Sequence, residues 1–386
     1  MDIRAVLATA AQLGASDLHM KVGGRPMLRV HGDLAPVEGS APIGREQMQS
    51  YLAQLMSDQH RERLARALQV DFAYGDPEFG RFRVNVFYQR GEPAAALRHI
   101  PAAIRSIEEL KLPPVVERIA QERRGLVLVT GTTGSGKSTT LAAMIRTINQ
   151  SRPCHIITIE DPIEYVHTDA RSIISQREVG VDATNFADSL KAALRQDPDV
   201  ILVGEMRDLE TIETAMLAAE TGHLVMSTLH TLDAPETITR VVSAFPEFQR
   251  DQARLILANV VKGIISQRLV RRGDGQGVVP AVEVMVSTAL VRECIALRER
   301  TREIHEAIAR GYKTYGMQTF DQSLMQLWRQ GLISYDEAIA NSSNADDFAL
   351  EARGVSSTSD SRWADFSSAQ GPDGGVAEPE IRVERF

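Results

Sequence analysis

The segment Gly131-Thr132-Thr133-Gly134-Ser135-Gly136-Lys137-Ser138 decides the fold. It follows the apolar run Leu126-Val127-Leu128-Val129 and opens a helix-like stretch from Thr139 to Ile148. Strand, glycine-rich turn and helix in succession are the setting that a phosphate-binding loop requires. The glycines let backbone N–H groups turn inward around a phosphate chain, and the helix N-terminus adds the positive end of its dipole. Lys137 is placed to reach the outer phosphates and the Ser138 hydroxyl to ligate Mg2+. Gly131, Thr132, Thr133, Gly134, Ser135, Gly136 and Thr139 complete the cradle. The sequence therefore predicts a nucleoside triphosphate site, with ATP and Mg2+ as the cofactors.

The rest of the chain sets limits on what that site serves. It has 386 residues, 43% hydrophobic and 24% charged, with a formal net charge of −8. That length allows two or three domains, and that charge gives no global sign of a nucleic-acid partner. Cys154 and Cys294 are the only cysteines, too few for a disulfide framework or a four-cysteine zinc site. The first residues carry charge at Asp2 and Arg4 without a signal-peptide pattern, and no apolar run reaches membrane-spanning length. The expectation is a cytoplasmic protein that meets a membrane only peripherally, through partners.

Residues 1–100 mix helical spacing, over 2–13 and over Pro42 to Leu68, with strand-like pieces at 28–30, 82–88 and 95–100. A proline-bearing linker, 101–114, follows. Residues 115–288 alternate helical patterns with β-rich runs at 126–130, 155–159, 200–203 and 224–228, which predicts βαβ units on a mainly parallel sheet, an α/β core. Residues 289–354 read as helical, with elements at 317–328 and 335–341. Residues 355–386 turn to Ser, Gly, Pro, Asp and Glu, a tail with little to bury that is expected to be disordered. No internal repeat is visible.

Phosphoryl transfer needs an aligned water and neutralised charge as well as a loop. Val200-Ile201-Leu202-Val203 is an apolar strand followed by Gly204-Glu205-Met206-Arg207-Asp208. Ligands of open α/β sheets bind at the carboxyl ends of strands, so Glu205 is expected beside the phosphate loop, orienting water or binding Mg2+ through water. The strand 156–159 ends in Glu160-Asp161-Pro162-Ile163-Glu164-Tyr165, where the acids at 160, 161 and 164 repel one another unless a cation or an arginine shares them. Glu160 and Glu164 are candidates for water activation. The run 224–228 ends at Leu229-His230-Thr231, which offers His230 for the γ-phosphate, a neighbouring carboxylate or a structural role. Arg81 and Arg83 alternate onto one face of a strand. If Tyr88 pairs with Pro93 across the turn at 90–92, Arg83 lies opposite Arg98, and like charges so placed are unfavourable unless an anion joins them. Arg81, Arg83 and Arg98 thus form either a solvated basic face or an anion-facing cluster, reaching ATP held by a neighbouring subunit.

In order and spacing, 131–139, 158–165, 199–208 and 227–231 resemble the Walker A, Asp box, Walker B and His box of the type II/IV secretion ATPases, and Ala15-Ser16-Asp17-Leu18-His19 fits the same superfamily. Within it, 316–321 and 331–335 are similar to the C-terminal helices of the PilT family, the retraction ATPases of type IV pili. The resemblance covers 1–354. It implies a PAS-like N-terminal domain joined to a RecA-like P-loop ATPase domain, in a homohexameric ring with ATP between subunits. It implies that Glu205 and Glu164 are the essential glutamates, that His230 is the His box histidine and that Arg81, Arg83 and Arg98 meet the neighbour's nucleotide. The partners implied are an inner-membrane pilus platform protein and a motor paralogue, at the cytoplasmic face of that membrane. Assembly ATPases of the superfamily usually carry a four-cysteine zinc motif, which two cysteines cannot make, so retraction is favoured. Residues 292–304 match the family's C-terminal signature only loosely, best at 297–299, which leaves a PilU-like accessory role, or a related secretion ATPase, as alternatives.

Overall fold

A computed structural model describes residues 2–30, 32–100, 103–354, 363 and 366. The chain divides into two compact units: Met1–Ile104 with Ile159–Thr168 and Gln176–Asn185, and Arg105–Thr158 with Asp169–Ser175 and Phe186–Phe386.

The first unit is built on a six-stranded sheet. Its strands are β1 (Asp17–Lys21), β2 (Met27–Val30), β3 (Asp33–Pro36), β4 (Gln69–Asp76), β5 (Gly80–Gln89) and β6 (Glu92–Ile100), in the order β3-β2-β1-β6-β5-β4 with antiparallel pairing. Period-two alternation in β5 buries Phe82, Val84 and Val86 and leaves Arg81, Arg83 and Asn85 on the other face. The buried face packs with Val6 and Leu7 of helix Ile3–Gln12 and Met48 and Leu52 of helix Arg45–Leu55. The helical spacing expected over Pro42 to Leu68 resolves into two helices, because Ser57 takes an extended conformation and caps Asp58–Ala67 in a reciprocal box with His60.

The second sheet has seven strands: β7 (Gly125–Thr130), β8 (His155–Glu160), β9 (Ile173–Glu178), β10 (Val200–Val203), β11 (Leu224–Leu229), β12 (Val261–Arg271) and β13 (Val278–Val286). Their order is β13-β12-β7-β11-β10-β8-β9, with β12, β7, β11 and β10 mutually parallel and β13 antiparallel on β12. β7, β10 and β11 are buried along their whole length, as expected for strands covered on both faces. Met144, Ile145 and Ile148 of helix Lys137–Ser151 pack with Val127, Val129, Leu202 and Met226. The four β-rich runs anticipated in 115–288 are strands here, whereas the β12–β13 hairpin was not foreseen.

Helices Ala289–Ala296, Ile304–Arg310, Phe320–Arg329, Tyr335–Asn341 and Ala345–Ala352 follow. Trp363 and Phe366 fall within the stretch expected to have little to bury, yet both are buried among Phe320, Leu324 and Phe348. The Phe366 ring meets Tyr312 edge-on at 5.0 Å, and the Arg329 guanidinium lies 5.4 Å from its centre. The remaining residues of 355–386 lie outside the described residues. No helix among the described residues is long and apolar enough to cross a membrane.

Candidate functional site

The phosphate loop leaves the carboxyl end of β7, where Thr130 Oγ1 donates to Ser266 Oγ at 3.0 Å. Gly131 follows with φ +140°. A Cβ on it would stand 2.4 Å from the Gln267 carbonyl oxygen and 2.6 Å from Ser135 Oγ. Gly136 has φ +90°, and a Cβ there would lie 2.8 Å from Gln267 Nε2. Backbone contact leaves no room for a side chain at Gly131, the positive φ disfavours one at Gly136, and the loop packs on Gln267 of β12. Gln267 is itself fixed, since its Oε1 accepts from Thr140 Oγ1 at 2.8 Å in the first turn of the following helix. Lys137 Nζ donates to the carbonyls of Gly131 and Thr132 at 2.8 and 2.9 Å. Ser135 Oγ is buried with no hydrogen-bond partner among the described residues. Beside the loop lies a cavity of about 380 Å³ lined by 131–135, Leu232, Gln267, Arg268, Leu269 and Asn341. A glycine-rich turn packed on Gln267, a tethered ammonium and a buried hydroxyl in want of a partner fit a phosphate chain, so a nucleotide suits these residues.

Glu205 stands just past β10 with its side chain 15% exposed. Its Oε2 lies 2.6 Å from Arg207 Nε and 3.7 Å from His230 Nε2. Neighbouring segments hold this group in place. Thr228 Oγ1 donates to the Gly204 carbonyl at 2.6 Å, and Asp208 caps helix Leu209–Glu220 through the Thr211 N–H. The carboxylate is thus presented by backbone on either side, and Glu205 and His230, named separately from sequence, come together. Glu205→Gln keeps the shape and removes the charge, which tests the expected role of Glu205 in aligning water. ATP turnover should fall by roughly 100-fold or more while ADP binding, read by calorimetry, is kept. Turnover within about twofold of wild type would move the role of principal acid to Glu164.

In the first unit, the β5–β6 register pairs Tyr88 with Pro93 and Arg83 with Arg98. The structure divides the three arginines. Arg81 is held internally: Nε donates to the Ile163 carbonyl and Nη2 to Glu178 Oε2, both at 3.2 Å, and Glu178 also accepts the Ile163 N–H at 3.1 Å. Arg98 is 67% exposed, with Nε donating to Asp17 at 3.0 Å. Arg83 is 39% exposed, 3.9 Å from Asp71 and 3.8 Å from Glu164. Local carboxylates thus relieve much of the repulsion that pointed to an outside anion, and Arg83 shares the acidic loop's charge by way of Glu164. Burial lowers His167 to about 4, so this histidine brings no positive charge there at neutral pH. Glu160 Oε1 accepts from Gln176 Nε2 at 3.3 Å.

Gln267, Arg207 and Glu178 were not singled out from sequence. Gln267 left no clear signal, since it follows Ser266 and precedes Arg268 in a run of three polar residues. Ser138 and Thr139 open the helix behind the loop. No group of three or more His, Cys, Asp or Glu side chains among the described residues is arranged to hold a metal ion.

A sequence profile described as "Type II/IV secretion system protein" matches residues 1–314. A twitching motility protein of Neisseria gonorrhoeae is 46% identical over 321 residues, 83% of this chain and 85% of that protein. The type IV pilus ATPase PilU of Pseudomonas aeruginosa is 41% identical over 352 residues, 91% of each chain. Among solved structures, that of the pilus retraction motor PilT with bound ADP aligns with a TM-score of 0.83 at 46% identity, over 90% of this chain and 98% of that one.

Proposed function

Because this chain belongs to the type II/IV secretion system protein family, we propose that it works as a homohexameric motor at the cytoplasmic face of the inner membrane, hydrolysing ATP to retract type IV pili. The fold is a RecA-like P-loop ATPase core with a PAS-like N-terminal unit, and the protein is an ATPase. The observation that carries the reading is the phosphate loop packed through Gly131 and Gly136 on Gln267 beside the cavity. Bound Mg-ATP supplies the phosphoanhydride that is cleaved. Lys137 gives a counter-charge to the outer phosphates, the loop N–H groups hold them, and the Ser138 hydroxyl would hold the metal. Glu205 orients the attacking water, with Arg207 and His230 fixing its carboxylate. Glu164 and Glu160 assist, while Arg83 and Arg98 reach the nucleotide of a neighbouring subunit and Arg81 holds β5, the strand of Arg83, in place through Glu178. The work is delivered to an inner-membrane platform protein, with a motor paralogue as a further partner.

A strain lacking the chain should lose twitching and carry excess surface pili, counted by electron microscopy. Bald cells would turn the reading from retraction to assembly. The even coverage of PilU supports a second reading, an accessory partner of another motor. That reading requires pili still to retract without this chain, whereas the first does not allow it.

A further inference from the structure

Glu283 is a buried acid outside the nucleotide site. It sits in β13, 1% exposed, directly across from Ser266 of β12, which pairs in turn with Thr130 of β7. Thr130, Ser266 and Glu283 therefore form a buried polar row that starts at the residue preceding the phosphate loop. At its far end, Glu283 Oε1 accepts the N–H of Ala234 at 2.9 Å, at the first residue of helix Ala234–Ser243. Asp233 caps the same helix through the Glu236 N–H. That helix ends the short segment carrying His230 and Leu232, of which His230 approaches Glu205 and Leu232 lines the loop cavity. The other oxygen of Glu283 lies 3.7 Å from Nδ1 of His305, in helix Ile304–Arg310.

A carboxylate is costly to bury unless it is paired and hydrogen-bonded. Here one oxygen is spent on a helix N-terminus and the other on an imidazole. We propose that Glu283 and His305 are a positioning pair that fixes the His230 segment against the phosphate loop and makes hydrolysis depend on the C-terminal helices. Neither touches nucleotide; both act through the segment they anchor. The inference rests on the ATPase reading above.

The charges around His305 come from several elements. Glu283 of β13 acts first, with Asp321 of helix Phe320–Arg329 and Asp233 at the helix start adding to it, and together they raise the imidazole above its usual 6.5 despite burial. Close to His305 in sequence, Arg300 is tied to Glu293 and Glu303, and Arg310 to Glu306. A raised pKa means that the ion pair is intact below 6.5 and is lost as pH rises through the folded value. Wild-type turnover should accordingly decline over that upper limb.

The test is kcat and KM for ATP against pH, on full-length protein with thermal melts alongside. His305→Gln should lower kcat about fivefold at pH 6.5, leave KM within about twofold and flatten the alkaline decline. Glu283→Gln should lower kcat about tenfold with the same flattening. If Glu283→Gln does not fold, His305→Gln decides, since the helix cap remains. Wild-type kcat and pH profile in His305→Gln would overturn the pair while leaving the ATPase reading intact. A lower melting temperature with an unchanged pH profile would reduce the pair to stabilising contacts and equally overturn it. Wild-type hydrolysis that survives Lys137→Ala would overturn both readings.

Discussion

Lys137→Ala should remove nearly all ATP hydrolysis, by about 100- to 1000-fold or more, with the protein still folded. The lysine caps the loop it belongs to, with its ammonium on the carbonyls of Gly131 and Thr132. This places a full positive charge on a loop whose backbone N–H groups carry none. Phosphoryl transfer asks little covalent chemistry of a protein and much neutralisation of charge, so the loss falls on turnover and phosphate affinity together. The effect should exceed that of Glu205→Gln, which leaves the binding loop whole. The check is phosphate release by the purified variant beside ADP affinity, with circular dichroism to confirm the fold. Turnover near that of wild type would mean that the loop is not the hydrolytic site, and the reading would fall at its first step.

The phosphate loop was legible because everything it needs is local. An apolar strand, three glycines at fixed spacing and a helix start lie within one short segment, and no distant residue is required to recognise them. The hairpin register was legible for a similar reason, since a short turn fixes which residues face each other. What supports these features was not legible. Gln267 meets Thr140 from 127 positions away, and nothing near either residue announces the pairing. β12 was missed because helix Arg250–Val260 runs into Val261 with no turn residue between them, so the apolar positions of helix and strand merge. The break at Ser57 could have been read, since a serine followed three residues later by a side chain able to reach back is a helix-start pattern. The carboxylates beside the arginines show the limit most clearly. The register placed Arg83 opposite Arg98, but Asp17 reaches Arg98 through the pairing of β1 with β6, which only the folded sheet reveals.

Those arginines lead to a second large effect. Arg83→Ala with Arg98→Ala should lower hydrolysis by about 1000-fold or more if both meet a neighbour's nucleotide, the range seen for arginines supplied in trans. The two side chains keep enough exposure to reach beyond their own unit, whereas Arg81 is spent on Glu178 and the Ile163 carbonyl. Lost activity alone does not distinguish cis from trans, but complementation does. In a ring of head-to-tail contacts each interface joins one subunit's loop to the next subunit's arginines. Equal mixing of Lys137→Ala subunits with the arginine double variant makes roughly a quarter of the interfaces whole on both sides. Arginines acting in cis leave every subunit of that mixture dead, so any activity above the two homogeneous rings is diagnostic. The mixture must be confirmed by native mass spectrometry. Doping wild-type rings with Lys137→Ala subunits supplies the calibration, because it measures how strongly one inactive site silences its neighbours. Verified mixed rings no more active than the two homogeneous rings, where the calibration predicts measurable activity, would place the arginines within their own subunit, and full activity in the arginine double variant would remove them from catalysis altogether.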